Sequence, residues 1–197
     1  MRPELFTIRR AGPGALSTMA RPHGGQQLEA VMSGLAAAGV SVLVSLLTEF
    51  EMAELELTGE PGAAQAAGLA FYHLPTPDRT VPDRTAGLEL ADRLRTFLEQ
   101  GAGVAIHCRF GIGRSSTLAA MVLVLEGTAP EQAWELISAA RGVTVPDTVA
   151  QRAAIANIRP GRPGRRPARQ DTAAGAATPD DRQETWLLQD GADPADA

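Results

Sequence analysis

The sequence predicts an α/β fold, in which helices flank a central, largely parallel, twisted sheet. Segments with strand character alternate with segments of helical periodicity along the first 158 residues. Residues 41–46 form an almost continuous apolar run, which is typical of a parallel strand buried on both faces. Residues 103–107 precede a glycine-rich turn and then an alanine-rich apolar segment, the order expected of a strand, a tight turn and a helix.

Each element before the turn has its own signal. Residues 5–8 are a short first strand candidate, and residues 12–25, rich in glycine and proline, are predicted to be a loop. Apolar residues at helical spacing predict a helix over 26–38 that ends at Gly39. Further helices are predicted at 48–55, at 61–67 with Pro61 in its first turn, and at 83–100 with Asp83 as its cap; a strand is predicted at 69–74.

After the turn, only helices are predicted: 114–125, 130–141 and 147–158, with Pro130 and Asp147 as start signals for the last two. In an open parallel sheet, ligands bind beyond the carboxyl ends of the strands. Cys108 and the segment 75–78 each follow a predicted strand directly. The functional site is therefore expected where these two segments meet.

The run from His107 to Ser115 reads His-Cys-Arg-Phe-Gly-Ile-Gly-Arg-Ser and contains the one cysteine of the chain. Backbone N–H groups around such a turn, together with the positive end of the following helix dipole, form a socket for a dianion. The same field favours a thiolate over a thiol. A thiolate beneath a phosphate socket indicates phosphoryl transfer through a covalent cysteinyl-phosphate.

This pattern, His-Cys-x5-Arg-Ser, resembles the signature loop of the cysteine-dependent protein tyrosine phosphatases. The surrounding chain, over roughly residues 5–158, is similar to their dual-specificity-like branch, notably to small bacterial members with a Pro-x-Pro-Asp-Arg loop upstream. The resemblance implies a protein tyrosine phosphatase-like fold and a phosphomonoester hydrolase. Phe110 departs from the family, which usually has a small alanine at that position.

The chemistry and the resemblance assign roles within the loop. Cys108 is expected to be the nucleophile, and Arg114 to chelate two phosphate oxygens with its planar fork. Ser115 is expected to donate a hydrogen bond to the departing thiolate, and the resemblance implies that His107 hydrogen-bonds loop carbonyls. The residues expected to bind phosphate are Arg109, Phe110, Gly111, Ile112, Gly113 and Arg114.

Three residues outside the loop complete the predicted site. Asp78 lies on a proline-rich loop before Cys108, as in the related enzymes, and is the candidate general acid. Asp83 is the rival, but it is better explained as the cap of the next helix. The resemblance suggests that Gln151 positions water, although a solvent-facing helical glutamine is the alternative; Glu51 is a candidate partner for Arg114, in competition with Glu49 and Glu54.

The composition of the chain limits the classes of partner and the compartment that we expect. The 197-residue chain is 44% hydrophobic, has a net charge of −5 and contains no lysine, which disfavours nucleic-acid binding. One cysteine excludes an intrachain disulfide and suits a reducing compartment. We predict no metal, no cofactor, no membrane association, a cytoplasmic location and a monomer. The partner is expected to be a phosphorylated protein or a small phosphomonoester.

The composition changes at residue 159. Residues 159–170 hold five arginines and three prolines without an acid, whereas residues 171–197 hold seven acids and one arginine. The sequence therefore predicts a phosphatase domain over residues 1–158 and a disordered tail over 159–197.

Several functions remain open at this stage. Phosphotyrosine in proteins, with phosphoserine or phosphothreonine as further substrates, is the favoured target. A small-molecule or inositide phosphatase is an alternative, which apolar Ile112 disfavours because inositide enzymes often carry two extra basic residues in the loop. A weakly active phospho-binding module is another. Sulfur transfer and arsenate reduction are disfavoured by the residue order and by the lack of a second cysteine.

Overall fold

The computed structural model describes residues 3–159, in which five strands form one sheet. The strands are β1 (Phe6–Ile8), β2 (Ala15–Met19), β3 (Val40–Ser45), β4 (Ala70–His73) and β5 (Gly103–His107). The helices are α1 (Leu28–Ala37), α2 (Glu49–Glu54), α3 (Glu60–Ala66), α4 (Arg84–Glu99), α5 (Arg114–Leu125), α6 (Pro130–Arg141) and α7 (Val149–Ala153). A short 3₁₀ turn, Gly25–Gln27, leads into α1.

The sheet order is β1-β2-β5-β3-β4, and only the β1–β2 pair is antiparallel, so the largely parallel α/β prediction is confirmed. The predicted loop over 12–25 is wrong in its middle, because residues 15–19 form β2, directly beside β5. Glycine and proline on both sides of this segment hide it in the sequence. Its Leu16, Ser17, Thr18 and Met19 are nonetheless all buried.

The core lies on both faces of the sheet. On one face, apolar residues of α4, α5 and α6 pack with Val104 and Ile106 of β5. On the other face, residues of α1, α2 and α3 pack with Leu43 and Ala105. Helix α5 is buried from Arg114 to Val124, as its continuous apolar run from Leu118 onward requires. This burial fixes the start of α5, and with it the turn from β5.

The last helix differs from its prediction. Asp147 does not cap it; Thr148 does, accepting from the backbone of Gln151 in a capping box, and the helix ends at Ala153 rather than continuing to 158. Thr148 is the cap because it lies three residues before Gln151: its hydroxyl accepts from the backbone N–H of Gln151, and the Gln151 side-chain oxygen accepts from the backbone N–H of Thr148. Predictions about residues 160–197 fall outside the described residues.

Candidate active site

The turn between β5 and α5 wraps around the sulfur of Cys108. This side chain is only 3% exposed. The backbone N–H of Gly111 donates to Sγ at 3.3 Å, and the Ser115 hydroxyl lies 3.4 Å from the same sulfur. Ser115 belongs to the first turn of α5, so the helix N-terminus also faces this region. The surroundings therefore supply hydrogen bonds and a helix dipole to a negatively charged sulfur.

Two glycines allow the turn to close. Gly111 has φ +71°, and a Cβ there would collide with the carbonyl of Met19 on β2. A Cβ on Gly113 would collide with the carboxylate of Asp147 and the amide of Gln151. The glycine spacing in the sequence thus reflects close packing of the turn against two neighbouring segments.

Arg114 is the most constrained side chain of the site. It is 1% exposed, and its two terminal nitrogens donate to the two carboxylate oxygens of Glu51 at 2.7 and 2.9 Å. Nη1 also donates to the carbonyls of Thr76 and Leu46. The suggested contact between Glu51 and Arg114 is thereby confirmed. Glu51 itself is held by a capping box with Thr48 at the start of α2.

The electrostatics of this pair are mutual. Burial alone would raise the pKa of Glu51, but hydrogen bonds from Arg114 and Thr48 and the charge of Arg114 outweigh it, so this pKa is lowered. Burial would lower the pKa of Arg114, yet the Glu51 hydrogen bond and the nearby Cys108, Glu51 and Asp78 raise it. Both groups are therefore charged at neutral pH.

Asp78 meets Arg114 from the other side. Its Oδ1 lies 3.2 Å from Arg114 Nη2, while its side chain stays 57% exposed. The loop that carries it is pinned by the buried Thr76, and the next residue, Arg79, has φ +61°. Asp83, the rival acid, accepts from the backbone N–H of Ala86 at 2.9 Å as the cap of α4. The cap prediction is confirmed, and Asp78 is the acid that contacts Arg114.

The side chains of the remaining turn residues point in different directions. Arg109 donates to Glu54 at 2.8 Å, and this hydrogen bond raises its pKa. Phe110 is 64% exposed, and its carbonyl accepts from Arg141, whose guanidinium lies 3.6 Å from the ring centre of Phe6. Burial lowers the pKa of Arg141. Ile112 is half-buried against the core on the α5 side.

Gln151 is completely buried, so the solvent-facing alternative is wrong. Its side-chain nitrogen donates to the carbonyl of Thr80 at 2.9 Å, and its oxygen accepts from the backbone of Thr148. Gln151 thus joins α7 to the loop of Asp78 while it packs against Gly113. Its amide is engaged with backbone on both sides.

His107 differs from its prediction. Its imidazole does not bond loop carbonyls; Nε2 lies 2.9 Å from Glu60 Oε1, and both side chains are fully buried. The physical reason is the alternation of the strand. Cys108 and Ile106 face the α5 side, so His107 faces α1 and α3 with Ala105.

Sequence reasoning missed three contributors to the site. Glu60 and Arg141 are far from the turn in sequence and carry no local signal. The carbonyl of Thr76 could not be seen, since backbone acceptors depend on the path of the chain. For Glu51 a signal does exist, because Thr48 and Glu51 have the spacing of a capping box, which fixes where that carboxylate sits.

Over residues 3–159, no group of three or more potential ligands is arranged to hold a metal ion. None of the helices in this part of the chain has the length and apolarity needed to cross a membrane. The arrangement instead offers a sulfur nucleophile, an anchored guanidinium and a carboxylate beside it. Together these groups can bind a dianion and move one proton.

Comparison with known proteins agrees with this arrangement. A family model described as "Polymorphic toxin system, DSP-PTPase phosphatase" matches residues 17–128. Cyclin-dependent kinase inhibitor 3 of Rattus norvegicus is 28% identical over 119 residues, which are 59% of this chain and 56% of the relative. The chain thus spans about half the length of the curated relatives it matches.

Solved structures share the fold. Kinase associated phosphatase, with its catalytic cysteine replaced by serine, superposes with a TM-score of 0.69 at 21% identity, covering 78% of this chain and 92% of the other. PTPMT1 in complex with PI(5)P gives a TM-score of 0.61 at 21% identity over 72% and 87% of the two chains. The family match extends over more than half of the sequence and includes the whole cysteine turn. The chain belongs to the DSP-PTPase phosphatase family of polymorphic toxin systems, within the cysteine-dependent protein tyrosine and dual-specificity phosphatases.

Proposed function

We propose that this protein hydrolyses phosphomonoesters, with phosphotyrosine in proteins as the favoured substrate, through a cysteinyl-phosphate. One observation carries the proposal: the sulfur of Cys108 accepts from the Gly111 amide in the turn before α5, and the first residue of that helix is the buried, Glu51-anchored Arg114. A core cysteine would need neither group. A phosphate dianion is bound by backbone N–H donors together with a guanidinium.

In the first step, Cys108 Sγ attacks phosphorus and the bond between phosphorus and the leaving oxygen breaks. Asp78 gives its proton to that oxygen, so a neutral alcohol or phenol departs. Arg114 holds two of the phosphoryl oxygens. To do so it exchanges its contact with Asp78, 3.2 Å away, for the substrate, while Glu51 keeps the guanidinium in place.

In the second step, the Asp78 carboxylate takes a proton from water, and the water oxygen attacks phosphorus. The bond between sulfur and phosphorus breaks, and the thiolate leaves with a hydrogen bond from Ser115. Inorganic phosphate is released and Asp78 is again protonated. Gln151 supports this step by fixing the Asp78 loop through its bond to Thr80, rather than by holding water with a free amide.

Two features favour phosphotyrosine. Phe110, two residues after the nucleophile in the cysteine turn, is 64% exposed, and we propose that its ring provides an aromatic face for the ring of a phosphotyrosine. Arg109, the extra basic residue of the turn, is paired with Glu54, which leaves less positive charge for the additional phosphates of an inositide. Two similar proteins, cyclin-dependent kinase inhibitor 3 and kinase associated phosphatase, are named for kinases, which supports a protein substrate over an inositide.

Hydrolysis of p-nitrophenyl phosphate by the full chain, with Cys108→Ser as the inactive control, tests the reaction. Turnover that persists in Cys108→Ser would contradict the mechanism, and phosphate binding without turnover in the native chain would identify a binding module. A panel of phosphotyrosine, phosphoserine and phosphothreonine peptides together with phosphoinositides then tests the substrate. Phosphoinositides are included because the structurally similar PTPMT1 was solved in complex with PI(5)P. Faster hydrolysis of the phosphoinositides than of the phosphotyrosine peptides would overturn the preference for phosphotyrosine.

A further inference from the structure

A buried polar cluster lies beneath the cysteine turn, on the face of the sheet opposite Cys108. Glu60 at the start of α3 and His107 at the end of β5 are each 0% exposed, and Ser45 is the in-register neighbour of His107 on β3. Met19 on β2 is the other in-register neighbour of His107, and an apolar cluster of residues from α1, α2 and α3 lies on the same face of the sheet. The reaction described above uses none of these three polar side chains.

The close contact in the cluster is between Glu60 Oε1 and His107 Nε2, at 2.9 Å. In the described part of the chain, neither carboxylate oxygen of Glu60 and neither nitrogen of His107 has a hydrogen-bond partner, so this ion-pair contact is the polar contact that the two side chains share. A carboxylate buried without a polar partner is costly, and the imidazole 2.9 Å away is the group that can compensate it.

His107 is joined to the catalytic residues on two sides. Cys108 follows His107 directly in the chain. The backbone carbonyl of His107 accepts from the backbone N–H of Leu46 at 3.0 Å. The carbonyl of Leu46 in turn accepts from the guanidinium of Arg114 and from the backbone N–H of Thr76. A change in the orientation of His107 therefore reaches both the nucleophile and the guanidinium through short, directional contacts.

We infer that Glu60 is a positioning residue for Cys108: its buried carboxylate contacts the imidazole of His107 at 2.9 Å and so holds that ring, and the end of β5, in the orientation that the turn requires. The expected effect of Glu60 on kcat rests on the proposed function. Its expected effect on the alkylation rate of Cys108 does not. Among the described residues, neither imidazole nitrogen has a hydrogen-bond partner, and the carboxylate of Glu60 lies 2.9 Å from Nε2.

The test replaces Glu60 by glutamine, which keeps the shape of the side chain and removes the carboxylate that contacts His107. Three quantities are measured at neutral pH: the rate of alkylation of Cys108 by iodoacetamide, and kcat and KM for p-nitrophenyl phosphate. We expect both kcat and the alkylation rate to fall about tenfold, with KM changed less than about twofold. Glu131→Gln, which removes a 77% exposed carboxylate from a surface pair with Arg152, is the matched control and should change neither.

A double-mutant cycle identifies the route. Because Glu60 acts through His107, the double variant Glu60→Gln, His107→Asn should be no more impaired than His107→Asn alone, within about twofold. Additive losses would overturn the inference, as would a folded Glu60→Gln protein with native alkylation and kcat. If Glu60→Gln does not fold, Glu60→Asp retains the charge but withdraws it by one methylene, and native alkylation rates in that variant would also overturn the inference.

The two proposals can fail separately. A native chain that never hydrolyses p-nitrophenyl phosphate, but whose alkylation still slows in Glu60→Gln, contradicts the proposed function and supports the role of Glu60. If the native chain is active but Glu60→Gln changes neither the alkylation rate nor kcat, the proposed function is supported and the role of Glu60 is contradicted.

Discussion

At the scale of single residues, Arg114 shows how one side chain can serve the fold and the site together. Its guanidinium is buried, and it joins Glu51 on α2, the carbonyl of Thr76 and the carboxylate of Asp78. Only a planar group with five N–H donors can meet several acceptors at fixed angles and still donate hydrogen bonds from its edge to phosphate. A lysine at this position would carry the same charge without that geometry.

Arg114→Lys is accordingly expected to lower kcat/KM for p-nitrophenyl phosphate by about 10²- to 10³-fold, the scale seen when one oriented donor to a developing anion is lost. Steady-state kinetics check this. Arg95→Lys serves as the control, because Arg95 makes only surface ion pairs with Asp92 and Glu99 on α4. Equal activity of Arg114→Lys and the native protein would show that the guanidinium geometry is dispensable.

The second residue-scale prediction separates two aspartates. Asp78→Asn removes the proposed proton donor and should lower kcat by about 10²-fold or more, while binding of inorganic phosphate is retained. Asp83→Asn keeps an N-cap acceptor on α4 and should leave kcat near the native value. Measurement of kcat together with phosphate inhibition tests both. The assignment of Asp78 would be wrong if the Asp83 variant were the inactive one.

At the scale of elements, the cysteine turn depends on a strand far away in sequence. Gly111 abuts the carbonyl of Met19 on β2, and β2 lies beside β5 in register. The turn therefore has its shape because three segments meet there: the end of β5, the start of α5 and the end of β2.

Gly111→Ala is predicted to destabilise the protein and to displace the amide that donates to Cys108. Gly142→Ala is a matched control, because Gly142 has φ +70°, nearly the +71° of Gly111, but has no neighbouring atom within 4 Å of an added Cβ. Backbone strain of about 1–3 kcal/mol is common to both variants. Only Gly111→Ala should also slow the alkylation of Cys108. If both variants lose similar free energy of unfolding in urea and similar alkylation rates, a specific role for β2 is excluded.

The comparison of sequence with structure is instructive at this scale. The strand and helix around Cys108 have the bounds that the sequence predicts, since apolar runs and a glycine turn mark both ends. Strand β2 was missed because five residues between glycine- and proline-rich segments give too short a pattern. The pairing of Glu60 with His107 could not be foreseen, because it depends on how α3 packs on the sheet and not on any local spacing.

At the scale of the whole molecule, the charged pair of Glu51 and Arg114 ties stability to pH. The pKa of Glu51 is lowered in the folded protein from its ordinary value of 4.5, so its contribution is present above that value and is lost as the pH falls through the folded-state pKa. Both partners are buried and anchor α2 against α5 and the Asp78 loop. Removal of one partner from such a pair costs about 3–5 kcal/mol.

Glu51→Gln should therefore reduce the free energy of unfolding by about 3–5 kcal/mol at pH 7, and this difference from the native protein should shrink as the pH falls below the ordinary value of 4.5 toward the lowered folded-state pKa of Glu51. Urea unfolding at pH 7 and at about pH 3.5 checks it. Glu131→Gln, on the surface, should show little difference at either pH. A difference between Glu51→Gln and native protein that stays constant with pH would contradict the lowered pKa.

The antiparallel pairing of β1 with β2 has a practical consequence for fragments. The segment that the family shares, residues 17–128, begins in the middle of β2 and stops before α6 and α7. A truncation made at those limits would discard the partner strand of β2, the arginine that braces the Phe110 carbonyl and the glutamine that packs on Gly113. The segment matched by the family model is thus shorter than the packed unit that the structure shows, and a minimal clone should start before Phe6 and extend past Ile158.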